Sequence, residues 1–396
     1  MAILPAVTSA YGDRGWPAIA LGISIGGTTG VISELGWGVN GPSHVARARP
    51  AARARLYVLS LVTQAAAALP ISILSALAGF LISEHFRIEC ALTALATCWA
   101  AMSPSWFFIG SGEPSNIVRT DSIPKVSCTL AAAAAIALGA PLWVYPLGLL
   151  TATAIGLTVG MRLTGAHWHM LNGFGLRRVV RVFEIQWLAL QSTIASAIYI
   201  GAPTTIVGMV APGALGIFSA ADRLQRMLLS LLQSVPQAFQ NWVGSAPSPA
   251  ARRERAIRAV KINSVIGALC GGAFVVVAPI ASRILFTGHF TISWRLASAC
   301  AVVVFCTTTS RAAGKIGLVI FRRLDVLRTS SVAGAGVGVV MLLTLPTRFG
   351  AMGGLLAVAA AEATVLGIQL LGLRRAHLNH AGIMREDASM NTRQSS

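Results

Sequence analysis

The sequence predicts an all-α integral membrane protein, a bundle of about eleven to twelve transmembrane helices in two lobes. Three observations carry this. First, 55% of the 396 residues are apolar and only 11% are charged, with a mean hydropathy of +0.70. Soluble domains carry about a quarter charged residues, so an ordinary soluble enzyme is excluded. Second, apolar stretches recur at bilayer-crossing length, about 20 residues for ~30 Å of hydrocarbon. Third, the basic residues collect in alternate connections between those stretches.

Taken in order, the spans are read at 17–40, 56–83, 88–110, 124–141, 143–161, 184–211, 213–235, 262–286, 296–320, 329–346 and 350–373. Residues 1–10 read as the last third of a further N-terminal span, so the first helix is expected to be truncated. They lack a basic region and run directly into Tyr11-Gly12-Asp13-Arg14, which does not resemble a cleavable leader.

Alternate connections hold 24 of the 31 Lys and Arg residues. They are loops 41–55, 111–125, 162–183 and 244–261, region 311–328 and the tail. The opposite side has only Arg14, Arg87, Arg283, Arg295 and Arg348. The basic side is expected to be cytoplasmic, which places the C-terminus inside a multi-pass protein of the cell membrane. This bias explains most of the net charge of +18 without nucleic acid as a partner. Loop 162–183 mixes His167, Trp168 and His169 with Arg177, Arg178 and Arg181, as a short interfacial helix would. It divides the chain into a first lobe at 1–165, a linker at 166–183 and a second lobe at 184–376. A polar, disordered tail at 377–396 is expected to follow.

The span with most chemical content is 213–241. Ser219, Asp222, Arg226, Ser230, Gln233, Gln237 and Gln240 are three or four residues apart, on one face of a helix. Asp222 and Arg226 can pair at i, i+4, with Arg223 beside them. Asp222 lies roughly 14 Å below the outer end of the span, at 1.5 Å per residue. A charge there costs at least ~2.5 kcal/mol against lipid, so it must face a partner or a wet cavity. The stripe reads as a cavity lining whose arginines meet an anionic group. The plainer reading is an ion pair that locks two helices. Glu34 could carry a proton or pair with an arginine such as Arg223, or merely reach the headgroups, and Glu362 has the same functional and plain readings. Arg311 and Lys315 could form a basic rim at the cytoplasmic mouth or snorkel to the interface. Gln64, Gln186 and Gln191 are weaker cavity candidates.

Trp106, Phe107 and Phe108 fit an interfacial aromatic belt, with Pro104 loosening the helix before them. Gly334-Ala335-Gly336-Val337-Gly338 looks like part of a phosphate loop but follows no strand, so close helix packing is expected. Two histidines in loop 162–183 are too few for a metal site. The six cysteines form no CxxC pair and read as small buried apolar residues. No Walker A, HExxH or nucleophile-elbow motif occurs. No cofactor, metal site or enzymatic activity is expected.

Two segments resemble a known family. Pro104-Ser105-Trp106-Phe107-Phe108-Ile109-Gly110 resembles the P-x-W-F-x-x-G segment of the polysaccharide-transport flippases. Leu215-Gly216-Ile217-Phe218-Ser219-Ala220-Ala221-Asp222-Arg223-Leu224-Gln225-Arg226, continuing to Pro236-Gln237-Ala238, resembles their eighth helix. Glu34-Leu35-Gly36-Trp37-Gly38 is similar to their second. Residues 111–115 lack the lysine often found after the Trp-Phe segment. These O-antigen and exopolysaccharide flippases share a superfamily with the MATE drug exporters. The resemblance implies a MATE-like bundle of two lobes that moves a polyprenyl-diphosphate-linked oligosaccharide from the inner to the outer leaflet. With the residue reading above, Asp222, Arg223, Arg226, Ser230, Gln233, Glu34, Arg311 and Lys315 are the candidate substrate contacts, and the resemblance implies that the arginines meet the diphosphate. Membrane lipids, and glycan polymerases or glycosyltransferases, would be partners. Two alternatives stand beside this. A MATE-like drug or cation exporter would want embedded carboxylates. A membrane glycan polymerase or ligase would need a larger external loop than the chain offers.

Overall fold

The computed structural model describes residues 3–171, 181–184, 186, 190, 201–321 and 323–394. Among these residues every regular element is a helix. Six helices are long and apolar enough to cross a membrane: Ile3–Arg47, Pro50–Ile82, Val144–Thr164, Pro249–Leu285, Trp294–Leu318 and Asp325–Ala376. Other expected spans correspond to shorter or more charged helices, such as Arg87–Trp99, Ile123–Ala137 and Leu215–Leu232. By packing, the chain forms two units, one of residues 1–219 with 284–290 and the other of 220–283 with 291–396.

In the first unit, helix Ile3–Ser33 bends sharply at Gly12, whose φ of 57° belongs to the left-handed region. The bend separates a short N-terminal arm from the first full span, as the hydropathy pattern implies. That span ends at Ser33, earlier than residue 40. Leu35 and Gly36 take φ of 51° and 70°, and the chain restarts as helix Trp37–Arg47. The expected span 88–110 is also two pieces, helix Arg87–Trp99 and helix Ser105–Ser111. Pro104 has no N–H to continue the first.

Close packing follows small residues. Gly22, Gly26 and Gly30 lie against Cys90, Ala94 and Cys98, four residues apart on both helices. A Cβ on Gly22 would come within 2.7 Å of the Cys90 carbonyl oxygen. This is the small-xxx-small pattern that lets membrane helices approach. Hydrogen bonds then join the helices. Ser75 Oγ donates to Thr29 Oγ1 at 2.7 Å, Trp99 Nε1 to Ser72 Oγ at 3.1 Å, and Trp37 Nε1 to Thr63 Oγ1 at 3.1 Å. Ser24 Oγ donates to the Gly201 carbonyl at 2.7 Å.

Trp106, Phe107 and Phe108 are not an interfacial belt. They are buried against Trp37 and Tyr57. Helix Ser105–Ser111 crosses helix Trp37–Arg47 where Gly41 meets the Trp106 ring and Gly110 meets Pro42. Larger residues at either glycine would hold the helices apart. The loop expected to form an interfacial helix shows a 3-10 turn at Trp168–Leu171. Its residues 172–180 lie outside the described residues.

Helix Leu215–Leu232, whose residues from Ala220 on belong to the second unit, stops at Gln233 and helix Ser234–Gly244 begins. Pro236 explains the break, because its ring would collide with the carbonyl four residues back, at Leu232. Helix Pro249–Leu285 has 37 residues, about 55 Å at 1.5 Å per residue. Its excess over the hydrocarbon thickness carries Arg252, Arg253, Arg255, Arg258 and Lys261. Helix Trp294–Ala312 runs into a π turn at Ala313–Leu318.

Helix Leu324–Gln394 folds back on itself at Gly350, with φ of 55°. Gly334 faces Val365, Gly338 faces Ala361, and Gln369 Nε2 donates to Ser330 Oγ at 3.2 Å. These contacts define antiparallel arms that match the spans expected at 329–346 and 350–373. The glycine run therefore serves helix packing. The tail expected to be disordered continues as helix through Gln394. Its Ala381, Met384, Arg385, Glu386 and Ala388 are good helix formers.

Candidate functional site

Asp222 and Arg226 stand one turn apart on helix Leu215–Leu232, and Arg226 Nε donates to Asp222 Oδ2 at 2.6 Å. Asp222 is only 8% exposed. The pair is charge-assisted, which makes it stronger than a neutral hydrogen bond. It sits about 10 Å into the helix from Leu215, at 1.5 Å per residue. Glu362, on the second arm of the final helix, is close enough to act electrostatically on both Arg226 and Arg311.

Arg311 enters the cluster through the break at Gln233. The Gln233 amide donates to the Ser230 carbonyl at 3.4 Å, not to Leu229 four residues back. The Leu229 carbonyl accepts instead from Arg311 Nη1 at 3.0 Å. A helix end leaves carbonyls without intrahelical partners, and basic side chains satisfy them. Pro236 therefore breaks the helix, and Arg311 closes the break. Two acids and two arginines from three helices meet in one part of this unit. Arg223 lies in the same stretch, and its buried Nε has no hydrogen-bond partner among the described residues.

Other proposed site residues lie elsewhere. Ser230 and Gln233 are exposed, and the Ser230 hydroxyl donates to the Met227 carbonyl. The stripe expected along 213–241 is thus cut at Gln233 and does not form one continuous face. Lys315 is exposed on the π turn, where the i, i+4 spacing no longer aligns it with Arg311. Arg311 is neither a free rim residue nor a snorkelling one, since it holds the Leu229 carbonyl. Glu34 lies in the first unit, its carboxylate against the backbone N–H of Gly38 at the start of helix Trp37–Arg47. A carboxylate is favourable at a helix N-terminus. Gln186 accepts from Asn40 Nδ2 at 3.0 Å, an interhelical bond, and Gln191 lies outside the described residues.

One feature of the second unit escapes the sequence reading. The buried hydroxyls of Thr307, Thr308 and Thr309 and the amide oxygens of Asn263 and Gln369 have no partner among the described residues. Gly267 packs directly on Thr308, one turn from Asn263. The run Thr307-Thr308-Thr309-Ser310 was a visible signal, because four hydroxyl residues in an apolar span are costly without partners.

No family model matches the chain, and no curated protein matches it by sequence. Solved structures do match. One is described as the inward-facing conformation of a multidrug resistance MATE family transporter of the MOP superfamily. The alignment covers 97% of this chain and 94% of that one, with a TM-score of 0.72 and 13% identity. Another, described as MATE in the bent conformation, covers 97% and 89% with a TM-score of 0.51 and 16% identity. At such identities the likeness concerns architecture. With its apolar helices, it makes this chain a multi-pass membrane protein with the all-α MATE-like fold.

Proposed function

We propose that the chain is a transporter that moves a polyprenyl-diphosphate-linked oligosaccharide across the cell membrane, and not an enzyme. The supporting observation is the charge cluster around Asp222 and Arg226. Its carboxylate is committed to Arg226, while Arg223 retains a buried guanidinium N–H without a partner. A buried guanidinium N–H without a partner among the described residues favours an anion. Planar guanidinium groups suit diphosphate, which they can bind in bidentate fashion. Elsewhere in the same unit, the buried hydroxyls of Thr307, Thr308 and Thr309 and the amide oxygen of Asn263 are groups of the kind that hydrogen-bond a sugar. The polyprenyl chain can stay in lipid throughout.

In this reading, lobes 1–165 and 184–376 rock against each other so that the site opens to each side in turn. The basic connections and the C-terminus face the cytoplasm. Glycan polymerases or glycosyltransferases would supply or use the cargo. A second reading, a drug or cation exporter, is favoured by the likeness in fold to a structure described as a multidrug resistance MATE family transporter. It is disfavoured by the pairing of Asp222 with Arg226.

The test is the double variant Arg223→Ala/Arg226→Ala in a deletion strain. Surface polymer should fall at least tenfold while membrane insertion stays normal. Normal polymer from the double variant would refute the site. Raised drug sensitivity of the deletion strain with intact polymer would favour the exporter.

A further inference from the structure

Residues 284–290 join helix Pro249–Leu285 to helix Trp294–Ala312, yet they pack as part of the first unit, while both helices otherwise belong to the second. Their seat is the bend at Gly12. The Phe286 ring is fully buried, with its centroid 5.7 Å from that of Trp16. Phe290 is 5% exposed, stacks edge-on against Phe286 at 5.9 Å, and fills the space that a side chain at Gly216 would need. Thr287 Oγ1 donates to Thr8 Oγ1 at 3.1 Å, and His289 Nδ1 lies 2.8 Å from Asp13 Oδ1. Thr287 and Gly288 turn the chain with φ of 49° and 83°. His289 and Phe290 also wall a cavity of about 340 Å³ in the same unit, with Asp13, Arg14, Glu84 and His85 among its other lining residues.

We propose that residues 284–290 form a releasable strap, with Phe286 as its plug and Asp13–His289 as its outer clasp. The proposal rests on the transporter reading. In that reading the strap travels with lobe 184–376, whereas Thr8, Asp13 and Trp16 travel with lobe 1–165. A motion that separates the lobes at this end must unseat it. The contacts suit repeated release. They comprise one aromatic plug, one hydroxyl pair and a histidine–carboxylate contact whose side chains are 38% and 70% exposed, a kind of surface contact that holds weakly.

Two measurements on the full chain, with its six native cysteines replaced by serine, test this. The first places Phe286→Cys in nanodiscs, open to both faces, with a hydrophilic maleimide. Reaction of the folded protein within an hour is expected, at least tenfold slower than in SDS. No reaction in the folded protein, with full reaction in SDS, would overturn the strap whatever the cargo. The second bridges Asp13→Cys to His289→Cys in cells with a short reducible bis-thiosulfonate. Surface polymer export should fall at least tenfold and recover on reduction. Full export with the bridge intact would overturn the strap. Unchanged surface polymer in the deletion strain, with Phe286→Cys labelled as expected, would count against the flippase reading and leave the strap supported.

Discussion

The two units treat buried polar groups differently. In the first unit, hydroxyl and indole groups are paired between helices, as in Ser75–Thr29, Trp99–Ser72, Trp37–Thr63 and Ser24–Gly201. Its orphaned atoms, among them Trp16 Nε1, Tyr57 Oη and Gln64 Nε2, are dispersed. In the second unit the orphans gather on Thr307, Thr308, Thr309 and Asn263, and charges cluster at Asp222, Arg226, Arg311 and Glu362. Interhelical hydrogen bonds in membranes contribute modestly, about 0.6 kcal/mol each. Charges in such helices are far costlier and mark function. The first unit thus pairs polar groups between its helices, while the second gathers its charges and unpartnered polar groups.

The contrast can be broken most severely at Asp222. Asp222→Ala removes the carboxylate that Arg226 holds at 2.6 Å and should cost about 3 kcal/mol, read as a lower melting temperature in detergent, with export abolished. The double variant Asp222→Asn/Arg226→Gln should recover most of the stability and none of the export. Recovery of export would mean that the pair only locks helices. Next comes Arg311→Ala, which frees the Leu229 carbonyl and should cost about 1–3 kcal/mol. Arg311→Lys should recover part of that loss in the same melting assay.

Pro236→Ala removes the cause of the break at Gln233. Hydrogen exchange should then show protected amides running through Gln233, with reduced export because Arg311 loses its partner. The smallest effect belongs to the first unit. Ser75→Ala should lower stability by only about 0.6 kcal/mol and leave export unchanged. An export defect there would erase the distinction between the units.

Much of this was readable from residue order. The apolar runs gave the helices, and turns at Gly12, Gly139 and Gly350 fall where the runs part. Asp222 and Arg226 were legible as a pair, because i, i+4 spacing is a local property of a helix. What failed depended on distant residues. The polar stripe was extended past Gln233, although Pro236 was in view with the reason to stop it. Trp106 and Phe107 read as interfacial because composition does not reveal that Gly41 and Gly110 admit them to a core. The repeat Gly22, Gly26 and Gly30 shows its purpose only beside Cys90, Ala94 and Cys98 on another helix. Arg311 could not be matched to the Leu229 carbonyl, since 82 residues separate them.

The cargo we propose for this chain is a lipid-linked oligosaccharide. Mass spectrometry of lipids extracted from a deletion strain, with surface polymer measured in parallel, tests it most directly. The account predicts that polyprenyl-diphosphate oligosaccharide accumulates and surface polymer is lost, with both reversed by the wild-type gene. Unchanged lipids and unchanged polymer, in a strain with no second flippase, would contradict it.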